Sequence, residues 1–261
     1  MIGCRIFSDL LIMVSKEDYD RAVDEFIGSI GSRFGEKVVS VYAAGSYARG
    51  DFVPGRSDID VYVVTKVGDS DVEKELRSLA DPIVEKYLRD VKLIQPDVLS
   101  LAVTSLEDVR AGKSWLGIGW EYYAFKRESK LLYGEDIRPL IPEPNPKAIN
   151  ASARDFLKNN VFSPSRFIYY IFSAIFRMLA IFLSMSGEYV AAKLDALREF
   201  TRLYPDEKET VSALQRAYEL WDVWRERDLD DQEMSELMHS MLNVHETINR
   251  LMSEIPNEIA R

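Results

Sequence analysis

Three prolines within five positions divide this 261-residue chain into two parts of different pattern. Pro142, Pro144 and Pro146 lie close together in the stretch that begins at Leu140. Proline lacks a backbone N–H and disfavours the helical conformation in the residue before it, so this stretch suits an extended spacer and cannot continue a helix. The chain is long enough for two ordinary domains. We therefore expect one domain at residues 1–141 and a second at residues 142–261.

The part before the spacer alternates predicted strands and helices, whereas the part after it is helical throughout. Apolar and β-branched runs predict strands at residues 37–44, 58–64, 91–94 and 97–103, and apolar spacing predicts helices at 15–35 and 71–88. Pro82 can kink or split the second of these helices. Helices are predicted after the spacer at residues 147–159, 163–185, 188–204, 207–227 and 231–254. The chain is therefore predicted to be α+β, with an all-α bundle as its second domain.

Charge and cysteine content restrict the partners and the compartment. The net charge is −10, a field that repels a phosphate backbone, so nucleic acid is disfavoured and a cationic small molecule is tolerated. Cys4 is the only cysteine, which rules out an intramolecular disulfide and makes the cytoplasm the expected location. The apolar stretch at residues 167–185 carries Arg177 near its middle, which would cost about 2.5–3.5 kcal/mol at a bilayer centre. We expect a buried bundle helix there, and no membrane span.

Two acids alternate with apolar residues in the second predicted strand. Strand alternation places Asp58 and Asp60 on one face, roughly 6–7 Å apart, while Ile59 faces the core. Two carboxylates at that spacing can share a pair of magnesium ions, because magnesium prefers oxygen ligands and keeps water and substrate phosphate in its shell. A third acid is expected on a neighbouring strand. Asp97 is the candidate, since it opens the apolar run at residues 97–103.

Gly45 and Ser46 end the strand that precedes the acidic one. A glycine lets the backbone approach a triphosphate, and the serine N–H and hydroxyl can bind phosphate oxygens. Chance would place such a pair near an Asp-x-Asp in roughly one or two chains in a hundred. The apolar strands on both sides favour a phosphate-binding turn that leads into a metal-binding strand.

The residues from Ala44 to Val61 read Ala-Gly-Ser-Tyr-Ala-Arg-Gly-Asp-Phe-Val-Pro-Gly-Arg-Ser-Asp-Ile-Asp-Val. This stretch resembles the signature of the DNA-polymerase-β-like nucleotidyltransferase superfamily. The resemblance implies a polymerase-β-like fold with a mixed sheet and helices for the first domain. It further implies that Asp58 and Asp60 hold Mg²⁺ ions on the nucleotide phosphates, and that Asp97 completes one metal site and accepts the proton of the attacking hydroxyl.

The second half of the chain, from residue 132 on, is similar to the spectinomycin and streptomycin adenylyltransferases. The similarity rests on residues 132–136, the apolar helix with Arg177, the Ser186-Gly187 turn, Lys193 and residues 213–218. It implies ATP as the nucleotide donor and a small molecule, an aminoglycoside-like one, as the acceptor. The chain has Asp97 where those enzymes usually have a glutamate.

Four basic residues are further candidates for binding the nucleotide. Arg49 and Arg56 flank the Gly-Ser turn, where each either contacts phosphate or is solvated. Arg177, a charge in an almost wholly apolar helix, needs either a buried acid or the nucleotide phosphates as its partner. Lys193 is the fourth candidate for a phosphate contact, although lone helical lysines are usually exposed. Aromatic residues after the third predicted acid, including Trp120, either pack in the core or stack on a base or acceptor.

Two other functions stay open on the sequence. One is nucleotidylation of a protein or RNA partner, as in antitoxin-type minimal nucleotidyltransferases, which are typically shorter chains. The other is a non-catalytic regulator that binds nucleotide through the same fold. The sequence leaves the acceptor and the oligomeric state undecided.

Overall fold

The computed structural model describes residues 14–68, 70–91, 98–114, 119–143, 145–159, 168–187 and 189–255. Strands and helices alternate up to residue 134, and helices follow one another from residue 146. The strands are β1 Val38–Ala44, β2 Ile59–Thr65, β3 Leu99–Ser105 and β4 Lys130–Gly134. The α-helices are α1 Lys16–Phe34, α2 Gly45–Arg49, α3 Ser70–Tyr87, α4 Leu106–Arg110, α5 Glu121–Glu128, α6 Pro146–Asn159, α7 Ile168–Ser184, α8 Lys193–Leu203, α9 Lys208–Glu226 and α10 Asp231–Glu254.

The four strands form one mixed sheet in the order β3-β2-β1-β4. β1 is antiparallel to β2 and to β4, whereas β2 and β3 run parallel. The predicted α+β class, with a mixed sheet and helices followed by a helical region, is confirmed. β4 was not predicted, because its five residues are half-buried or exposed and show no alternation. The strand predicted at residues 91–94 lies outside the described residues except for Val91, which is not in a strand.

Alternation along β2 gives the sheet two different faces. Ile59, Val61 and Val63 are buried in the same core cluster as α1 and α3. Asp60 and Tyr62, which alternate with them, therefore lie on the opposite face. The carboxylate of Asp60, a predicted metal ligand, is thus directed away from the main core of the sheet.

Several local predictions agree with the structure and two do not. Ser15 and Asp18 form a capping box at the start of α1, as predicted. Pro82 lies inside α3, which continues through it as one helix. Gly45-Ser46 was predicted to be a turn, but it is the first part of the short helix α2. The helix predicted at residues 188–204 begins only at Lys193.

The late start of α8 has a visible cause in α5. The Arg127 guanidinium donates a hydrogen bond to the carbonyl oxygen of Tyr189 at 3.2 Å. The backbone of Ala191 also lowers the pKa of the Glu128 carboxyl, so these two groups lie close together. These contacts hold the backbone before Lys193 out of helical conformation, a tertiary constraint that local pattern does not reveal.

The helices after residue 146 pack around α7, and the core they form also includes residues from the first part of the chain. Almost every α7 side chain from Ile171 to Ser184 is buried; Ser173 is partly exposed and Arg177 is exposed. Among the described residues, no helix is both long enough and apolar enough to span a bilayer. Val53 and Trp120 are buried in the same cluster as the α7 side chains. The division at residues 141 and 142 stays a prediction.

Candidate active site

A cavity of about 240 Å³ lies between the face of β2 that carries Asp60 and Tyr62 and the helices α7, α8 and α9. This volume is slightly below the roughly 300–1,000 Å³ that is usual for small-molecule pockets. Both parts of the chain contribute to its lining. The lining residues are Ala44, Gly45, Ser46, Arg49, Ser57, Asp60, Tyr62, Trp120, Ala124, Glu128, Ser173, Phe176, Arg177, Ala180, Tyr189, Ala191, Lys193 and Trp221.

Gly45 meets two requirements that other residues cannot meet together. Its φ is +60°, in the left-handed region that glycine adopts without strain. Ala44 pairs with Asp60 across β1 and β2, which brings the next residue against that carboxylate. A Cβ atom on Gly45 would lie 2.3 Å from Asp60 Oδ2. The glycine therefore makes room for Asp60 and for the start of α2, where Ser46 also lines the cavity.

The surroundings of the Asp60 carboxyl disfavour its negative charge, and a bound cation would stabilise that charge. Burial, together with the negative charge of Asp58, raises its pKa to about 6, while Arg177 and Arg49 oppose the rise. Asp58 precedes β2 and does not line the cavity itself. A divalent cation would favour the ionised form of both acids, and their oxygen donors suit magnesium. The two residues therefore fit the metal that the sequence predicts.

The third predicted acid, Asp97, lies outside the described residues. Within the described ranges, no three acidic, histidine or cysteine side chains come together as a metal site. β3 begins at Leu99 and runs parallel to β2, with Leu99 opposite Ile59. The start of β3 is therefore next to the start of β2, which keeps Asp97 as a prediction for the third ligand.

Arg177 projects from the apolar helix α7 into the cavity. Its guanidinium lies 5.3 Å from the centroid of the Trp120 ring and 5.0 Å from that of Phe156. Within the part of the chain that the structure describes, no acid lies within ion-pair distance of it. Two acids still interact with it through their charge, because Arg177 lowers the pKa of the Asp60 and Glu121 carboxyls. Both partners considered for Arg177, a buried acid and the nucleotide phosphates, therefore stay open. The aromatic rings hold the cation by cation–π contact and leave its donors directed at the cavity.

Lys193, at the start of α8, also lines the cavity. Its side chain is only 11% exposed, unlike that of most lone helical lysines. The ammonium lies 4.0 Å from the centroid of the Trp221 ring and 3.5 Å from Asp51 Oδ2. Burial lowers the pKa of Lys193, and Asp51 opposes that shift.

The two loop arginines have different surroundings. Arg49 lines the cavity, but its guanidinium is paired with Glu128 at 3.0 Å and with Asp51 at 3.3 Å. Arg56 does not line the cavity. It pairs with Asp228 at 2.9 Å and lies over the Trp224 ring at 4.9 Å, so it joins the loop to the end of α9.

Sequence reasoning missed three residues that shape the cavity. Glu128 lines it from α5, and burial raises the pKa of its carboxyl against the opposing charge of Arg49. Trp221 supports Lys193, and Asp51 pairs with both Arg49 and Lys193. Glu128 and Trp221 lie far from the Gly-Ser motif in sequence, so no local pattern indicates them. Asp51 lies inside the motif and could have been noticed as an acid between two arginines.

Known proteins share both the sequence pattern and the fold. Residues 23–115 match the family model for the nucleotidyltransferase domain. The matched stretch is similar to a nucleotidyltransferase domain. The resemblance to the DNA-polymerase-β-like superfamily, which residues 44–61 indicate, is thereby confirmed. Gly45, Ser46 and the three predicted acids all lie within the matched residues.

The similarity to a solved structure extends through the helical part. The fold resembles that of spectinomycin adenyltransferase AAD(9) from Enterococcus faecialis, crystallised with ATP and spectinomycin. The TM-score is 0.54 at 16% identity, covering 89% of this chain and 98% of that one. No curated protein matches the chain. The nucleotidyltransferase domain and the helices after it therefore share one architecture with an adenyltransferase.

Proposed function

We propose that this chain transfers AMP from ATP to a hydroxyl group of a small, cationic, aminoglycoside-like acceptor and releases pyrophosphate. The observation that carries the proposal is the composition of one cavity. The nucleotidyltransferase motif lines it from one side through Gly45, Ser46 and Asp60, and two cations, Arg177 and Lys193, line it from the other. A metal-bound triphosphate fits both sides, because its negative oxygens can pair with the two cations and its metal ion can be bound by the acids.

The chain's own residues would bind and orient the donor. Ser46 and the backbone at Gly45 would bind phosphate oxygens, and Arg177 and Lys193 would neutralise the departing pyrophosphate. Asp58, Asp60 and Asp97 would hold Mg²⁺, two ions by the resemblance, which supplies positive charge at the phosphates when bound. Most of the catalysis would then come from positioning and charge neutralisation, as in phosphoryl transfer generally.

The reaction balances without any other reagent. The acceptor oxygen forms a bond to the α-phosphorus, and the bond from that phosphorus to the bridging oxygen breaks. The electron pair of the broken bond leaves with pyrophosphate. The proton of the acceptor hydroxyl passes to a carboxylate, for which we propose Asp97. Bound metal would favour the ionised form of these carboxyls, and only the ionised form can accept a proton.

Two observations support a cationic small molecule as the acceptor. The chain carries a net charge of −10, which attracts cations and repels a nucleic acid backbone. The structurally similar AAD(9) was crystallised with spectinomycin as well as ATP. The cavity is small for a nucleotide and an acceptor together, so we expect the cleft between β2 and the helices to widen when both bind.

The direct test is transfer of label from α-labelled ATP to a panel of aminoglycoside and aminocyclitol acceptors in the presence of magnesium. Asp60→Asn should reduce transfer by at least about a hundredfold, since a metal-holding carboxylate is lost. Asp81→Asn is the matched control, because Asp81 is an exposed acid on α3. It should retain wild-type activity.

The outcomes separate the competing functions. Label on a co-purified protein or RNA, with none on any small molecule, would favour nucleotidylation of a macromolecule. ATP binding without pyrophosphate release would favour a non-catalytic regulator. Absence of ATP binding altogether, in a folded protein, would show that the proposed function is wrong.

A further inference from the structure

We infer that Asp51, which does not line the cavity, is a positioning residue that holds Lys193 charged and in place for the nucleotide phosphates. This inference rests on the proposed function, because it takes a phosphate as the ligand of Lys193. It concerns a residue outside both the metal site and the cavity lining. The inference is supported by the contacts between the loop that contains Asp51 and the start of α8.

Asp51 divides its two oxygens between two cations. Its Oδ1 lies 3.3 Å from Arg49 Nε, and its Oδ2 lies 3.5 Å from Lys193 Nζ. Arg49 has a second acid, Glu128, at 3.0 Å. Within the described residues, Asp51 is the one acid within 4 Å of the Lys193 ammonium. Loss of Asp51 would therefore leave Arg49 paired and Lys193 unpaired.

The surroundings of Lys193 otherwise favour its neutral form. Burial lowers the pKa of its ammonium, and the nearby charges of Arg49 and Arg225 lower it further. The charge of Asp51 and its hydrogen bond oppose these effects. The Trp221 ring, 4.0 Å away, contributes a cation–π contact that also depends on the charge. A neutral amine would lose the charge attraction to Asp51 and the cation–π contact, and it would attract phosphate far less.

The backbone around Asp51 fixes where the carboxylate lies. The backbone N–H of Asp51 donates to Ser46 O at 3.1 Å, directly behind α2. Val53, two residues on, is buried in the helical core, and Arg56 pairs with Asp228. The loop that joins the phosphate-binding helix to the metal-binding strand is thus fastened to the helical part on both sides of Val53. The side chain of Asp51 contacts two residues that line the cavity, Arg49 and Lys193.

The first experiment measures Lys193 in the nucleotide-free protein. Trace labelling of lysines with acetic anhydride, read by mass spectrometry over a range of pH, follows the neutral fraction of each amine. Asp51→Asn should move the Lys193 labelling curve to lower pH than in wild type, and Asp51→Glu should return it towards wild type. Asp228→Asn is the matched control, because it breaks an ion pair of the same loop to the helical part away from the cavity. Its curve should coincide with that of wild type.

The second experiment measures the affinity for Mg-ATP by calorimetry between pH 7 and pH 9. For Asp51→Asn, the fall in affinity with rising pH should begin at a lower pH than in wild type, since loss of the Asp51 charge lowers the pKa of Lys193 further. Lys193→Gln should bind weakly at every pH, and adding Asp51→Asn to it should change little, because the two residues act as one unit. Circular dichroism and melting temperature confirm that each variant is folded.

Two results would overturn the inference while the proposed function stands. One is a Lys193 labelling curve that Asp51→Asn leaves unmoved in a protein that binds ATP. The other is tighter ATP binding by Asp51→Asn at every pH, which would make Asp51 a competitor of the phosphate. If wild type transfers no AMP and binds no ATP, the proposed function fails, and with it the phosphate role of Lys193. The labelling result then reports the ion pair alone.

Discussion

Gly45 lies against Asp60 in the folded chain, and the space that Asp60 occupies restricts position 45 to a residue without a side chain. The missing Cβ leaves space for Asp60 Oδ2, which would otherwise be 2.3 Å away. The same absence permits the positive φ at the start of α2. Both demands act on a position that contributes no functional group of its own.

Gly45→Ala should therefore abolish activity even though it adds one methyl group. We expect transfer to fall at least about a hundredfold, because a displacement of about 1 Å in a catalytic group can cost that much. The protein should also lose about 1–3 kcal/mol of stability through the strained φ. Gly50→Ala is the control: it also has a positive φ, +78°, but nothing lies within 4 Å of its added Cβ. It should lose stability and keep most of its activity.

Asp60→Asn should separate stability from activity. The folded carboxyl has a pKa of about 6, above its ordinary value of 3.8, so its ionisation destabilises the metal-free fold increasingly between about pH 4 and pH 6 and fully above that. In EDTA at pH 8 the variant should be more stable than wild type by about 1–3 kcal/mol, an advantage that disappears below about pH 4. Denaturant unfolding at the two pH values measures this. Equal stability at pH 8 would contradict the burial of the charge.

At the scale of elements, caps and strand patterns were predictable and tertiary ties were not. α1 and α10 begin where Ser15 and Asp230 accept hydrogen bonds from the backbone of the first turn. β1, β2 and β3 follow from their apolar runs. The start of α8 could not be predicted, because α5 holds Tyr189 and Ala191 across about sixty residues of sequence. β4 was not predicted because its side chains are partly or fully exposed and show no apolar alternation.

Asp230→Ala tests how much the cap contributes to α10. The Asp230 carboxylate accepts a hydrogen bond from the backbone N–H of Glu233 at 2.9 Å. The Glu233 carboxylate accepts one from the backbone N–H of Asp230 at 3.0 Å. Each of these hydrogen bonds joins a side chain to the backbone at the start of α10. Thermal or urea unfolding should show a loss of about 0.5–2 kcal/mol. Asp231→Ala removes the same charge one residue later without a cap bond and should cost less. An equal loss would show that charge alone is responsible.

At the scale of the whole molecule, the motif residues were predictable but their surroundings were not. Gly45, Ser46, Asp58 and Asp60 lie close together in sequence, and the apolar strands around them made the nucleotidyltransferase resemblance recognisable. The opposite lining of the cavity brings together residues that are far apart along the chain, such as Glu128, Lys193 and Trp221. Long-range packing, which sets those contacts, leaves no periodic mark in the sequence.

The net charge of −10 predicts opposite effects of salt on the two substrates. Between 20 mM and 200 mM salt, KM for a dicationic acceptor should rise about two- to fivefold, because screening weakens its attraction to the protein. KM for Mg-ATP should stay level or fall, since screening weakens a repulsion. Steady-state kinetics with KCl measures both, with sucrose at equal osmolality as the control. Parallel changes in both constants would argue against long-range charge as the cause.

Val53 has a consequence for how such a protein can change over generations. This side chain belongs to the loop between α2 and β2, yet it is buried among the bundle helices. A recombination event that exchanged only the bundle would therefore leave Val53 against a surface that had not adapted to it. We therefore expect substitutions around Val53 and in the bundle to be correlated. The proline-rich spacer would then be a poor point for recombination between genes, even though its sequence is typical of a domain boundary.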